Sequence, residues 1–249
     1  MLAADDVAVM LVVFAAFLVE AMVGFGSTVL TVTLGAQWVP LDTLLPAFVP
    51  ISLGISTFIL FKSRADLDVQ FLLRRLLPWI GVGMALGVLV VFPLRGEPGI
   101  LAGFGVMVVA LAVLNLLALR GGTSAPPLPL ALGNGLMVLA GVVHGLFGSG
   151  GPLVVFVLSR ELNNKRAFRA VLALLWLALN LVLCVNYASA GMFTATSFRL
   201  GLLMVPSLAL GAWLGNHLHG VVEERTFRII SQVILMVAGG ALAGRSLLQ

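Results

Sequence analysis

Charge is scarce in this sequence. Fourteen of 249 residues are Lys or Arg and ten are Asp or Glu, while 61% are hydrophobic, which leaves too little polar surface to cover a soluble globule. Cysteine is scarcer still. Cys184 stands alone, so an intramolecular disulfide and a cysteine metal cluster are excluded, and its apolar neighbours mark it as a small buried hydrophobe. With three histidines in all, there is too little for haem or redox-metal chemistry. A phosphate loop and a zinc-binding His-Glu-x-x-His are also missing, so the chain reads as a non-enzyme and no cofactor is expected. Positive charge is absent before the first apolar run, where Asp5 and Asp6 stand instead, and no small-residue cleavage site follows. The first run is therefore expected to be a retained span rather than a signal peptide.

What the sequence has in abundance is long apolar runs, with a mean hydropathy of +1.16. Crossing hydrocarbon takes about 20 mostly apolar residues. Eight runs of that order and two shorter ones are present, which predicts an all-α polytopic membrane protein lodged in the lipid bilayer. The predicted elements are about 7–23, 28–39 (short), 43–61, 70–93, 99–119, 130–147, 153–158 (short), 170–188, 197–218 and 227–247. Net charge of +4 and a pI near 10.2 arise from basic residues in short loops. These set membrane topology, and no nucleic-acid partner is expected.

Two places interrupt the apolar runs. Leu146-Phe147-Gly148-Ser149-Gly150-Gly151-Pro152 combines glycines that open positive φ with a proline suited to the first turn of a new helix. It reads as helix, tight turn, helix N-terminus. Val23-Gly24-Phe25-Gly26-Ser27 ends the first run in the same manner. Irregular backbone at bilayer depth is tolerated only where protein buries it or where it lines a wet cavity, and a new helix N-terminus offers free N–H donors to an anion.

The chain divides into two similar halves, 1–120 and 130–249, joined by a Gly- and Pro-rich linker at 121–129. Gly26-Ser27 pairs with Gly148-Ser149 at a spacing of 122. Pro78, Gly83 and Gly87 pair with Pro206, Gly211 and Gly215 at 128, both as Pro-x4-Gly-x3-Gly. Loop 62–75 carries Lys62, Arg64, Arg74 and Arg75, and loop 160–169 carries Arg160, Lys165, Arg166 and Arg169. Their counterparts in the other half carry almost no charge. Positive loops stay in the cytoplasm, so the two repeats, of about five segments each, are expected to be inverted, with both termini outside. Arg245 is an exception to the charge rule.

Inverted repeats would bring the two turns face to face, with both helix N-termini converging on one anion, as in transporters built on broken helices. Gly24, Gly26, Ser27, Thr28, Gly148, Ser149, Gly150 and Gly151 are the candidate substrate-binding residues, with Thr31 beside them. The competing reading is that small residues merely let helices approach, and Gly83, Gly87, Gly141, Gly145, Gly211 and Gly215 are assigned to that role. Glu20 and His144 each lie about one turn before a break. Glu20 is a proton-coupling candidate, an ion partner, or a protonated structural carboxyl. His144 is its candidate partner in a proton relay, or a hydrogen-bonded packing residue. Asn180 and Asn186, with Ser52, Ser56 and Thr57, fit bonding between helices. Trp38, Trp79 and Tyr187 fit interfacial anchoring.

The order Gly24-Phe25-Gly26, linker, Phe147-Gly148-Ser149-Gly150-Gly151-Pro152-Leu153 resembles the TauE/SafE sulfite exporter family over essentially the whole chain. The resemblance implies a two-repeat permease of the bacterial inner membrane that handles sulfite, organosulfonates or other small sulfur-containing anions, with Gly24, Gly26, Gly148, Gly150 and Gly151 lining the path. Ser27-Thr28 departs from the further glycines that many members carry. The function expected is a secondary transporter, with export as its direction; a passive anion channel and a permease for another small organic acid are the alternatives, and a homodimer is a further candidate assembly.

Overall fold

Peptide groups in hydrocarbon must bond within their own segment, which makes helices of the apolar runs. The computed structural model describes residues 4–23, 26–120, 128–162, 164–218 and 224–248; Gly24, Phe25 and most of the expected linker lie outside them. Ten helices are described: α1 Ala4–Val23, α2 Ser27–Gly35, α3 Leu41–Ser63, α4 Val69–Leu94, α5 Pro98–Arg120, α6 Leu130–Phe147, α7 Gly151–Leu158, α8 Lys165–Ser189, α9 Ala195–Leu218 and α10 Glu224–Leu247. No strand occurs among the described residues. Six helices, α3 to α6, α8 and α9, are long and apolar enough to cross a membrane. The chain is an all-helical polytopic membrane protein.

The helices gather into two compact units, and each takes segments from both halves of the sequence. The first comprises residues 1–44, 94–123 and 195–249; the second comprises 45–93 and 124–194.

In the first unit α1 lies parallel to α9. Arg199 holds the buried Asp6 at 2.9 Å where both helices begin, and Gly211 and Gly215 lie on the backbone of Phe14 and Leu18 further along. A Cβ on Gly215 would come 2.5 Å from the Leu18 carbonyl, so this approach depends on glycine. Helices α5 and α10 run antiparallel, with Gly105 against Gly239 and Asn115 bonded to Gln232 at 3.4 Å. A cavity of about 260 Å³ is lined in part by Asp42, Arg95 and Arg245. Arg95 pairs with Asp42, and Arg245 donates to the Gln37 carbonyl at 2.9 Å.

In the second unit α4 lies parallel to α6. Gly83 and Gly87 sit on Val138 and Val142, and Gly141 and Gly145 sit in return on α4. The three Gly-x-x-x-Gly spacings assigned to packing, at 83/87, 141/145 and 211/215, therefore serve helix approach. Helix α4 widens into π turns at Leu72–Leu76 and Gly87–Val91, with Pro78, which has no N–H to donate, just after the first. At one end Arg75 grips both oxygens of Glu161, at 3.0 and 2.5 Å, and the Asn134 side chain at 2.6 Å. That bidentate pair ties the start of α4 to the start of α6 and to the chain after α7. Trp38 and Trp79 are exposed as interfacial anchors would be, but Tyr187 is fully buried, its ring 6.2 Å from Phe92. The anchor reading is wrong for Tyr187, because its aromatic body finds a packing partner inside the unit.

Helix starts favour another spacing at the turns. Ser27 begins α2 and Gly151 begins α7, with 151 − 27 = 124. The glycine contacts agree, since Phe14 and Val138, and Leu18 and Val142, are each 124 apart. At that interval Gly26 falls on Gly150 and Glu20 on His144, where the 122 spacing of the Gly-Ser dipeptide put Gly26 on Gly148.

Candidate functional site

In the second unit the break begins where Gly148 turns left-handed, at φ 61° and ψ 19°, and its N–H caps α6 by donating to the His144 carbonyl at 2.7 Å. Glycine occupies that conformation without the penalty a Cβ would add. Helix α7 then starts at Gly151 with Pro152 in its first turn. Among the described residues the N–H groups of Ser149, Gly150 and Gly151 find no backbone acceptor. The Ser149 hydroxyl is buried, 1% exposed, and also lacks a partner.

The two glycines that follow Ser149 do different things. A Cβ on Gly150 would run into the Ala140 carbonyl and stand 3.1 Å from the His144 Cβ, whereas one on Gly151 would meet only Trp176, at 3.9 Å. Packing on α6 accounts for Gly150; open space lies beside Gly151.

His144 adjoins this turn through its carbonyl, which accepts from Gly148, and its Cβ, which lies beside Gly150. Its ring stacks on Trp176, with centroids 5.5 Å apart and planes 10° from parallel. Its Nε2 lies 3.1 Å from Asn180 Oδ1, the Asn180 amide donates to Ser52 Oγ at 3.1 Å, and Ser52 donates to the Val49 carbonyl at 2.7 Å. Nδ1 is buried without a partner. The expected bonding between helices through Asn180 and Ser52 is present, and it extends to His144. Trp176 escaped the sequence reading, although it lies four residues before Asn180 and so shares its face of α8.

In the first unit Gly26, at φ 111° and ψ −8°, leads into α2. The first N–H of that helix, on Ser27, donates to Glu20 Oε2 at 3.2 Å. The Glu20 carboxyl thus already occupies this helix N-terminus. Thr28 is half-buried beside it, and Thr31 is fully buried with an unpartnered hydroxyl. Glu20 and His144 are bonded within separate units, each to partners of its own.

Helix N-termini free of side-chain cations can hold an anion by backbone donors without confining a permanent counter-charge in the bilayer. A probable inner membrane transporter protein, TsaS of Comamonas testosteroni, is 26% identical over 166 residues, covering 64% of this chain and 68% of that protein. No solved structure matches the chain. The family model described as sulfite exporter TauE/SafE matches residues 9–242, nearly the whole sequence, and the chain belongs to that family.

Proposed function

We propose that this chain is a secondary transporter of the bacterial inner membrane that carries a small sulfur-containing anion such as sulfite or an organosulfonate. The observation that carries the proposal is the pair of glycine breaks in one register, each opening a helix N-terminus where peptide N–H groups lack backbone acceptors. At the second break the anion rests on the N–H groups of Ser149, Gly150 and Gly151 and on the Ser149 hydroxyl. At the first, Gly24, Gly26, Ser27 and Thr28 provide the equivalent station. Glu20 supports this assignment, since its own carboxylate models an oxyanion on the α2 terminus.

Inverted repeats of five segments each complete the proposal. Glycine contacts that recur at matching positions, with α1 on α9 in one unit and α6 on α4 in the other, support a duplication, and the two basic loops give its orientation. Single cysteines at Ala65 and Ser159, both exposed, placed in a chain with Cys184→Ala, should resist a membrane-impermeant maleimide in intact cells and react once the cells are opened. If only one of them resists, the repeats are not inverted.

Transport is tested with labelled sulfite, sulfoacetate and thiosulfate in proteoliposomes. A transporter gives counterflow, in which unlabelled anion inside drives label inward; a channel only dissipates gradients. No counterflow with any of the three would refute the assignment. The proposal also gives Glu20 the task of releasing the α2 terminus when it takes up a proton. A charge at a helix N-terminus is worth about 0.3–1 kcal/mol, so Glu20→Gln should bind sulfite about two- to fivefold more tightly at pH 8, and the gain should vanish near pH 5. Weaker binding at pH 8 would show that the carboxylate helps the anion instead of competing with it.

A further inference from the structure

The hydrogen-bond chain behind His144 has a fixed direction. A backbone carbonyl can only accept, so the Ser52 hydroxyl spends its single proton on Val49 and must accept from Asn180. The Asn180 amide nitrogen is thereby turned to Ser52 and its oxygen to His144, so His144 Nε2 must donate. The network assigns the tautomer. Neutral His144 carries its proton on Nε2 and leaves Nδ1 as a bare acceptor, buried and unpartnered.

The surroundings hold no fixed charge for that ring. Helix α6 has no ionisable residue besides His144, α7 has none, α4 has none between Leu77 and Leu94, and α3 has none between Leu45 and Phe61. Helix α8 offers Cys184 and Tyr187 beyond Asn180, and Lys165, Arg166 and Arg169 at its start. An imidazolium alone here would be an unpaired buried charge, and so would an anion alone on the turn. Each is costly by itself, and the pair is not.

Resting on the transport function proposed above, we infer that the turn at 148–151 loads one anion and one proton together. The anion takes the N–H groups of the turn and the proton takes Nδ1 of His144. The proton comes from water or from the acid form of the anion, and the loaded turn gains no net charge from a monoanion. Trp176, stacked on the imidazole, gains a cation–π contact when the ring is charged. Linkage makes the coupling reciprocal, so anion raises the affinity for the proton as much as proton raises that for the anion.

The test uses the whole chain. In protein whose only tryptophan is Trp176, fluorescence should titrate with pH as imidazolium quenches the indole, and saturating sulfite should move the midpoint upward by about one unit or more. In proteoliposomes His144→Gln, whose amide still donates to Asn180, should lose about tenfold or more of the accumulation driven by a pH gradient, and the counterflow it retains should no longer follow the wild-type pH dependence. Wild-type accumulation in His144→Gln would overturn the inference. A midpoint that sulfite leaves in place would overturn it too, even if the variant fails to fold. Failure of the wild type to show counterflow would instead refute the transport function itself.

Discussion

Gly83→Ala will lose folded protein on purification, while Gly81→Ala, two residues earlier in the same helix, will be as stable as the wild type or slightly more so. Two effects compete at each site. Alanine is the better helix former, by about 1 kcal/mol over glycine. Against this, adding carbon to a closely packed contact costs about 1–3 kcal/mol, and more where the neighbour cannot move. At Gly81 nothing lies within 4 Å of the new Cβ, so propensity wins. At Gly83 the Cβ would overlap the Val138 carbonyl outright, and that neighbour is helix backbone, so α4 and α6 must part. Their separation also strips contact from Gly87, Gly141 and Gly145, and for this reason we expect a loss of about 3 kcal/mol or more. Thermal unfolding in detergent measures it. Gly211→Ala should behave likewise, because the Phe14 carbonyl stands in the corresponding place. A stable, wild-type-like Gly83→Ala would mean that the two helices do not approach as described.

Gly151→Val should give the opposite result, a stable protein that has stopped binding its anion. The residue has no positive φ, and a Cβ here meets only Trp176, at 3.9 Å. The branched side chain instead fills the space beside the free N–H groups. Hydrogen bonds to a charged group are worth about 1.5–3 kcal/mol each, so loss of one predicts sulfite binding weaker by about tenfold to a hundredfold. Gly135→Val, in open space on α6, is the matched control and should bind normally. Calorimetry on both purified variants decides: equal affinity in the two would remove the turn from the binding site. Gly150→Ala is unsuitable for this purpose, since its clash with Ala140 would confound binding with folding.

The helices were legible in the sequence because hydrocarbon leaves the backbone so few options. The segments expected at 99–119 and 130–147 are observed at Pro98–Arg120 and Leu130–Phe147. Chain breaks were equally visible, since Gly148 and Pro152 act locally. Register was harder. Each turn holds two glycines separated by one residue, so the Gly-Ser dipeptide at 26–27 can be laid on 148–149, whereas the starts of α2 and α7 and the Gly211 and Gly83 contacts favour a spacing two residues longer. Partners distant in sequence left no trace. Arg75 and Glu161 are 86 residues apart, and Asn180 and Ser52 are 128 apart; no local pattern couples them. His144 was singled out for its proximity to a break, whereas its tautomer depends on a serine on another helix and on the carbonyl to which that serine donates.

The pairing of α1 with α9 and of α4 with α6 bears on how the protein is made. A chain emerging from the ribosome inserts its helices in order, yet the grooves formed by Gly83 and Gly87 stay vacant until α6 arrives, and α1 waits for α9 across most of the molecule. Neither compact unit can close while only residues 1–120 exist. Until then α3, α4 and α5, each long and apolar enough to cross by itself, wait in the lipid with the glycine faces of α4 and α5 open to any other small-residue helix that passes. Insertion and assembly become two distinct stages, and the interval between them, set by translation of the second half, is when this chain is most exposed to mispairing and to membrane proteases.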